Sequence, residues 1–269
     1  MLQLIAIINT TTESIDADTR PGGSALERAR QALADGAHWV DIGGQATNPW
    51  ASQGDVETEW KSIADVLPTL LNESPGRISL DTFRPEVAEQ ALASGKIIIN
   101  DVTMFHDPRM IELAVAHSVM CIVSHLPLAA NGSIAWAHGN ATMDDETDVL
   151  RELLERRRQM IQAGVNPDHI ILDPGIGFGK TSKLNRKLLE FGSLATDRQL
   201  LHKLDPQAVR EPTIKVLIGH SQKRMIAEAF GGDKTDPIAN QKAGQIAAKA
   251  GASYLRVHNP SLYQKLIDQ

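Results

Sequence analysis

Apolar residues along the chain fall into short runs rich in Ile and Val, each followed by polar turn residues and then by a segment with helical spacing. The runs are "LIAII" (4–8), "HWVDI" (38–42), "RISLD" (77–81), "KIIIN" (96–100), "VMCIVS" (119–124), "HIILD" (169–173), "IKVLIG" (214–219) and "SYLRVH" (253–258), which predict eight strands. Between them, "SALERARQALADG" (24–36), "DVETEWKSIADVLPTLL" (55–71), "RPEVAEQALASG" (84–95), "DPRMIELAVAHS" (107–118) and "TDVLRELLERRRQMIQAG" (147–164) predict helices. Gly36, Gly95 and Gly164 stand where helix C-terminal caps favour glycine. Strands that are apolar throughout and alternate with helices mean a parallel sheet covered on both faces. Eight such units in 269 residues fit a closed (β/α)8 TIM barrel, one domain over residues 1–269, better than a doubly wound open sheet. The stretch 197–213 reads as the end of the sixth helix plus a loop, and 126–144 as a mobile lid after the fifth strand.

Composition narrows the partners. A net charge of −6 with no basic block argues against nucleic acid or an anionic membrane surface. No apolar stretch approaches the ~20 residues that span a bilayer. Met1 leads straight into a strand-like run, so a cytoplasmic protein without a signal peptide is expected. The single cysteine, Cys121, sits inside "VMCIV" and reads as a small buried hydrophobe in a reducing compartment. Trp39, Trp50, Trp60 and Trp136 read as packing residues.

In such barrels the chemistry lies where strands end and the following loops begin. The polar residues at those ends are Asn9, Asp41, Asp81, Asn100, Ser124 with His125, Asp173, Ser221 with Lys223, and Arg256 with His258. Carboxylates and amides brought together in this way suit a ligand edge crowded with N–H donors, such as a guanidine-like pyrimidine. Lys223, Arg256 and His258 lie on the last two strands, where these barrels often hold phosphate. The residues thus describe a donor-rich heterocycle at one end and an anion at the other. A resident metal site has little support, because no His-Glu-x-x-His occurs and the histidines are scattered. A Mg²⁺ held mainly by phosphate oxygens, with Asn9 as its one protein ligand, would leave no stronger trace.

"LDPGIGFGKT" (172–181) raises a competing reading, a nucleotide phosphate loop. That loop needs Gly-x-x-x-x-Gly-Lys-[Ser/Thr]. Five positions before Gly179 stands Pro174, so the motif fails. What remains is a buried strand ending in Asp173 with a glycine-rich loop beyond it.

The ordered set of strand ends resembles the dihydropteroate synthase family of the folate pathway. "AIINTTTES", "GAHWVDIGGQATNP", "ISLDTFRPEVAEQAL", "IINDV", "ILDPGIGFGKTSKLN", "GHSQKRM" and "LRVHNP" are similar to its motifs, in order, over essentially the whole chain. The resemblance implies condensation of 6-hydroxymethyl-7,8-dihydropterin pyrophosphate with p-aminobenzoate, giving 7,8-dihydropteroate and pyrophosphate. It also implies that Asp81, Asn100 and Asp173 receive the donor edge of the pterin while Lys223 contacts the ring's opposite side. Asn9, Arg256 and His258 would hold pyrophosphate, Asn9 through Mg²⁺, and Asp41 would organise the catalytic loops. Thr47, Asn48 and Ser221 fall on the p-aminobenzoate side, and a homodimer is implied.

The chain departs from the family on that second side. The family's Glu-Ser-Thr-Arg is Gln45-Ala46-Thr47-Asn48, its loop-one Phe is matched by Ile15, and the Arg before the lysine is Gln222. Asn48 cannot replace the charge of an arginine. Two alternatives therefore stand beside the synthase: a methyltetrahydrofolate–corrinoid methyltransferase, and a pterin-binding paralogue with an altered or lost acceptor site. Arg256, His258 and the Asn9 loop argue against the first. A Schiff-base aldolase barrel is disfavoured because strand six ends in Asp173 and not in lysine.

Overall fold

The computed structural model describes residues 2–10, 24–44, 55–127, 143–210 and 213–267. Strands β1 (Gln3–Asn9), β2 (Trp39–Gly43), β3 (Ile78–Asp81), β4 (Ile98–Asp101), β5 (Cys121–Ser124), β6 (Ile170–Asp173), β7 (Lys215–Ile218) and β8 (Tyr254–Val257) follow the predicted runs. All pair in parallel and in chain order, and β8 closes on β1. This is the expected (β/α)8 barrel.

Period-two alternation explains its two cores. Leu4, Val40, Leu80, Ile99, Val123, Leu172, Ile218 and Leu255 are among the buried residues that join the strands to the helical layer. The intervening residues form a separate core inside the barrel, from Ile5, Ile98, Ile122, Ile171, Leu217 and Tyr254. Trp39 stacks on Tyr254 there, ring centroids 4.8 Å apart. Two residues further along, the same inward parity reaches Asp41, Asn100, Ser124, Asp173 and Arg256. A polar layer thus sits on an apolar plug, at the end of the barrel where the strands finish.

Helices end at or just before Gly36, Gly95 and Gly164, as their caps predict. Two segments differ from expectation. Residues 55–71 do not form one helix but two, Val56–Ala64 and Leu67–Glu73. Pro68 is the reason: it lacks an N–H and its ring crowds the carbonyl of the preceding turn. Residues 197–213 do not extend the sixth helix. Asp197 starts a new one, Arg198–Leu204, by accepting from the N–H groups of Gln199 and Leu200. Part of the expected lid, 128–142, and the loops 11–23 and 45–54 lie outside the described residues.

Candidate active site

Asp41 lies at the centre of the polar layer, fully buried. Its Oδ1 accepts from Ser79 Oγ at 2.5 Å, and its Oδ2 accepts from Asn100 Nδ2 at 2.9 Å and Arg256 Nε at 2.6 Å. Both oxygens are therefore engaged within the barrel, and they orient an amide and a guanidinium. Arg256 also donates from Nη2 to Asp81 Oδ2 at 2.7 Å. Burial works against the guanidinium's charge, yet Asp41 and Asp81 hold its pKa above the ordinary value. Two of its five N–H donors are spent in these contacts.

Asp81 keeps one oxygen, Oδ1, buried without a hydrogen-bond partner among the described residues. An orphaned buried acceptor is costly, and it marks where a donor-bearing ligand would be received. Burial raises its pKa to about 7, Arg256 opposes the rise and Asp41 adds to it. Across the barrel, Asp173 Oδ1 accepts from Gly175 N–H at 2.8 Å and its Oδ2 from Ser124 Oγ at 3.2 Å. Burial raises this carboxyl too, against the Gly175 hydrogen bond and the charge of Arg256. Asp41, Asp81 and Asp173 against Arg256 and Lys223 leave a buried excess of acceptors.

Beyond β7, Ser221 Oγ accepts from the His258 backbone N–H at 3.2 Å and lies 3.0 Å from His258 Nδ1. If the hydroxyl gives its proton to Nδ1, the ring's proton resides on Nε2. Lys223 Nζ stands 4.8 Å from the centre of the Phe178 ring, so the loops after β6 and β7 meet over the barrel mouth. Asn9 ends β1 beside Gly43, and its backbone carbonyl accepts from Arg28 Nη2 at 2.6 Å.

Set beside known proteins, residues 5–258 match the family described as pterin binding enzyme. The dihydropteroate synthase of Neisseria meningitidis serogroup C is 34% identical over 96% of this chain and 87% of its own. The chain belongs to the dihydropteroate synthase family. Among solved members, the Thermus thermophilus dihydropteroate synthase in complex with 4-aminobenzoate is 30% identical, with a TM-score of 0.79 over 99% of this chain and 92% of that one. The Xanthomonas albilineans dihydropteroate synthase in complex with 7,8-dihydropteroate is 27% identical, with a TM-score of 0.77 over 99% of this chain and 91% of that one.

Within this dihydropteroate synthase barrel, Asp41, Asp81, Asn100, Asp173 and Arg256 form one connected polar layer, with Ser221, Lys223 and His258 on its rim. Arg256, expected to hold an anion, is ion-paired with Asp41 and Asp81 here. Asp41 braces Asn100 and Arg256; the loops it is expected to organise lie outside the described residues, as do Ile15, Thr47 and Asn48. Gln222 has φ 55°, and its N–H donates to Asn240 Oδ1 at 2.9 Å.

Sequence reasoning missed the supports behind this layer. Ser79 shares the inward parity of Asp81 and could have been found from it. Glu59 is buried, accepts from Thr82 Oγ1 at 2.5 Å and ion-pairs with Arg84, holding the chain just after Asp81. Asn240, also buried, bonds the carbonyls of Lys234 and Asp236 through Nδ2 while its Oδ1 holds the Gln222 turn. The partners in such long-range contacts leave no local signal; only the position of Glu59 among apolar helix residues hints at one.

Proposed function

We propose that this barrel joins 6-hydroxymethyl-7,8-dihydropterin pyrophosphate to p-aminobenzoate, releasing 7,8-dihydropteroate and pyrophosphate. The chain is then a transferase of folate synthesis. The observation that carries the reading is the buried acceptor set on neighbouring strand ends, with Asp81 Oδ1 still unpartnered. A pterin's N–H edge supplies the donor that Asp81 Oδ1 lacks and adds further donors to Asn100 and Asp173, and Lys223 with Phe178 covers the ring. The C–O bond between the pterin methylene and pyrophosphate breaks, and its electron pair leaves with pyrophosphate. The p-aminobenzoate nitrogen forms the new C–N bond and gives up a proton to solvent. Carboxylates buried around the ring favour positive charge developing on the methylene. No strong base is needed for an aromatic amine, which agrees with a site that offers none.

Arg256, through its remaining donors, and His258 bind the pyrophosphate. Mg²⁺ fits beside them. Such a hard cation would draw most of its ligands from phosphate oxygens and water. Asn9 would supply one amide oxygen, and the ion would neutralise the charge gathering on the leaving group. Thr47, Asn48 and Ser221 face the p-aminobenzoate, and the working unit is a homodimer.

The deciding experiment measures pyrophosphate release from the dihydropterin pyrophosphate with and without p-aminobenzoate. Release that depends on p-aminobenzoate, with dihydropteroate as the product, is expected. Pterin binding with no turnover would instead identify a paralogue that has lost its acceptor site, a reading favoured only by the departures at Ile15, Asn48 and Gln222.

A further inference from the structure

Lys180 is the lysine that makes the loop after β6 look like a phosphate loop, and the chemistry above gives it no task. Its side chain is buried, 5% exposed. Nζ donates to the carbonyl oxygens of His125 at 3.2 Å, Gly175 at 3.0 Å and Phe178 at 3.0 Å. Burial lowers the Lys180 pKa to about 7, against the charges of Asp173 and Glu152; in its ammonium form Nζ has three N–H donors and no acceptor, so these carbonyls use all of them and leave none for a phosphate. The three carbonyls belong to two loops: His125 follows β5, whereas Gly175 and Phe178 follow β6.

The backbone at the same residue joins a third segment. Met143 N–H donates to Gly179 O at 3.3 Å and Thr181 N–H donates to Met143 O at 3.2 Å, bracketing a parallel bridge between Met143 and Lys180. The buried Asn185 closes the loop from below, its Oδ1 accepting from Gly177 N–H at 2.8 Å and its Nδ2 donating to Lys180 O at 3.2 Å. Gly175 has φ +64°, and a Cβ there would lie 2.0 Å from His125 O, so only glycine allows this approach. The loop so fastened carries two parts of the pterin site: Asp173, whose Oδ1 accepts from Gly175 N–H, and Phe178, whose ring lies beneath Lys223.

We propose that Lys180 is a positioning residue for the pterin site: its caged ammonium fixes the β6 loop on the β5 loop, so that Asp173 and the Phe178–Lys223 pair are in place before the ligand arrives. The inference rests on the pterin reading above. Without the ammonium, the buried carbonyls of His125 and Gly175 and the part-buried carbonyl of Phe178 each lose a donor, Gly175 O keeping only the Phe178 N–H at 3.2 Å, and the loop must rearrange to replace it. The loss falls on the pterin and spares the pyrophosphate and p-aminobenzoate contacts, none of which is assigned to the β6 loop.

The test compares wild type, Lys180→Met and Lys180→Gln by calorimetry with 6-hydroxymethylpterin and, separately, inorganic pyrophosphate. Lys180→Met, which keeps length but has no donor, weakens pterin binding by about tenfold or more. Lys180→Gln, with two amide N–H donors, falls between. Pyrophosphate affinity and the Michaelis constant for p-aminobenzoate stay at wild-type values. A lowered denaturation midpoint with unchanged pterin affinity in the folded variants would make Lys180 a purely structural residue and overturn the proposal. Failure of wild type itself to bind the pterin would instead sink the reading of the site. Hydrogen exchange needs no substitution and covers the case in which neither variant folds. The amides of Gly175, Phe178 and Thr181 in unliganded wild type exchange at least about a hundredfold more slowly than free chain. Exchange there at the rate of an exposed loop overturns the proposal.

Discussion

Arg256 engages two carboxylates at once, and this decides what its removal does. Its side chain is 15% exposed, while those of Asp41 and Asp81 are 0% and 4% exposed. Deleting one member of a buried ion pair strands the other charge and destabilises by ~3–5 kcal/mol. Arg256→Ala is therefore expected to lower the denaturation midpoint and to weaken pterin binding with or without the pyrophosphate group. His258→Ala is the cleaner probe of the anion site, because the ring lies against Ser221 and takes no part in the Asp41–Arg256–Asp81 ion pairs. It should weaken only the pyrophosphate-bearing ligand in calorimetry; equal losses for both ligands would take His258 out of that site. Asp81 adds a pH dependence. An unfolded aspartate titrates near ~3.9, whereas burial holds Asp81 at about 7 in the fold. The native state thus keeps a proton that the unfolded chain has released, so this group's contribution to stability is present at low pH and lost as pH rises through about 7. Ligand binding runs the other way, since the ionised carboxylate accepts the pterin N–H more strongly. Pterin affinity should rise between about pH 6 and pH 8 in wild type and stay flatter in Asp81→Asn. A slope that survives the substitution would assign it to another group.

Helix Val56–Ala64 shows what one element can hide from a sequence. "DVETEWK" reads as a charged, solvated face, yet Glu59 lies three residues after Val56 and four before Ile63, on the helix's apolar stripe. A charge at such a position signals a buried partner, here Arg84 and Thr82, which come into reach only when the barrel closes. Glu59→Ala should destabilise the protein by ~3–5 kcal/mol, because it removes one member of a largely buried ion pair. Glu59→Gln, which keeps an acceptor for Thr82, should lose less. Denaturant midpoints measure both, and a Glu59→Ala value typical of a surface substitution would remove the clamp from the account. The strands were legible for a physical reason: continuous apolar runs fix the parallel sheet, and parity then fixes which polar ends face inward. The break before Pro68 was legible in principle, from the missing N–H alone. The Asp197 cap was harder, because helix–cap–helix and helix–loop share the same composition.

Across the whole molecule, the two halves of the proposed reaction are built from different material. The pterin and anion groups stand on strand ends, whose positions the closed barrel determines, and these are the site residues that could be read from the sequence. The acceptor side, where the family resemblance places it, falls on 11–23, 45–54 and the turn at Gln222, where no periodicity of the sequence constrains the choice of residue. The departures gather there: Ile15 replaces an aromatic wall, and Asn48 and Gln222 each replace a cation. Gln222 still holds its turn through Asn240, so the backbone is supported where the charge is lost. A buried charged hydrogen bond contributes ~1.5–3 kcal/mol, and less where water competes. With water competing, the low end applies, ~1.4 kcal/mol, or about tenfold in affinity. Asn48→Arg should therefore lower the Michaelis constant for p-aminobenzoate by about tenfold at saturating pterin pyrophosphate. Pterin affinity should not move, because its acceptors lie on β3, β4 and β6. A wild-type Michaelis constant that is already low, and that Asn48→Arg leaves unchanged, would mean that Thr47 and backbone amides bind the benzoate unaided and that the departures carry no functional weight.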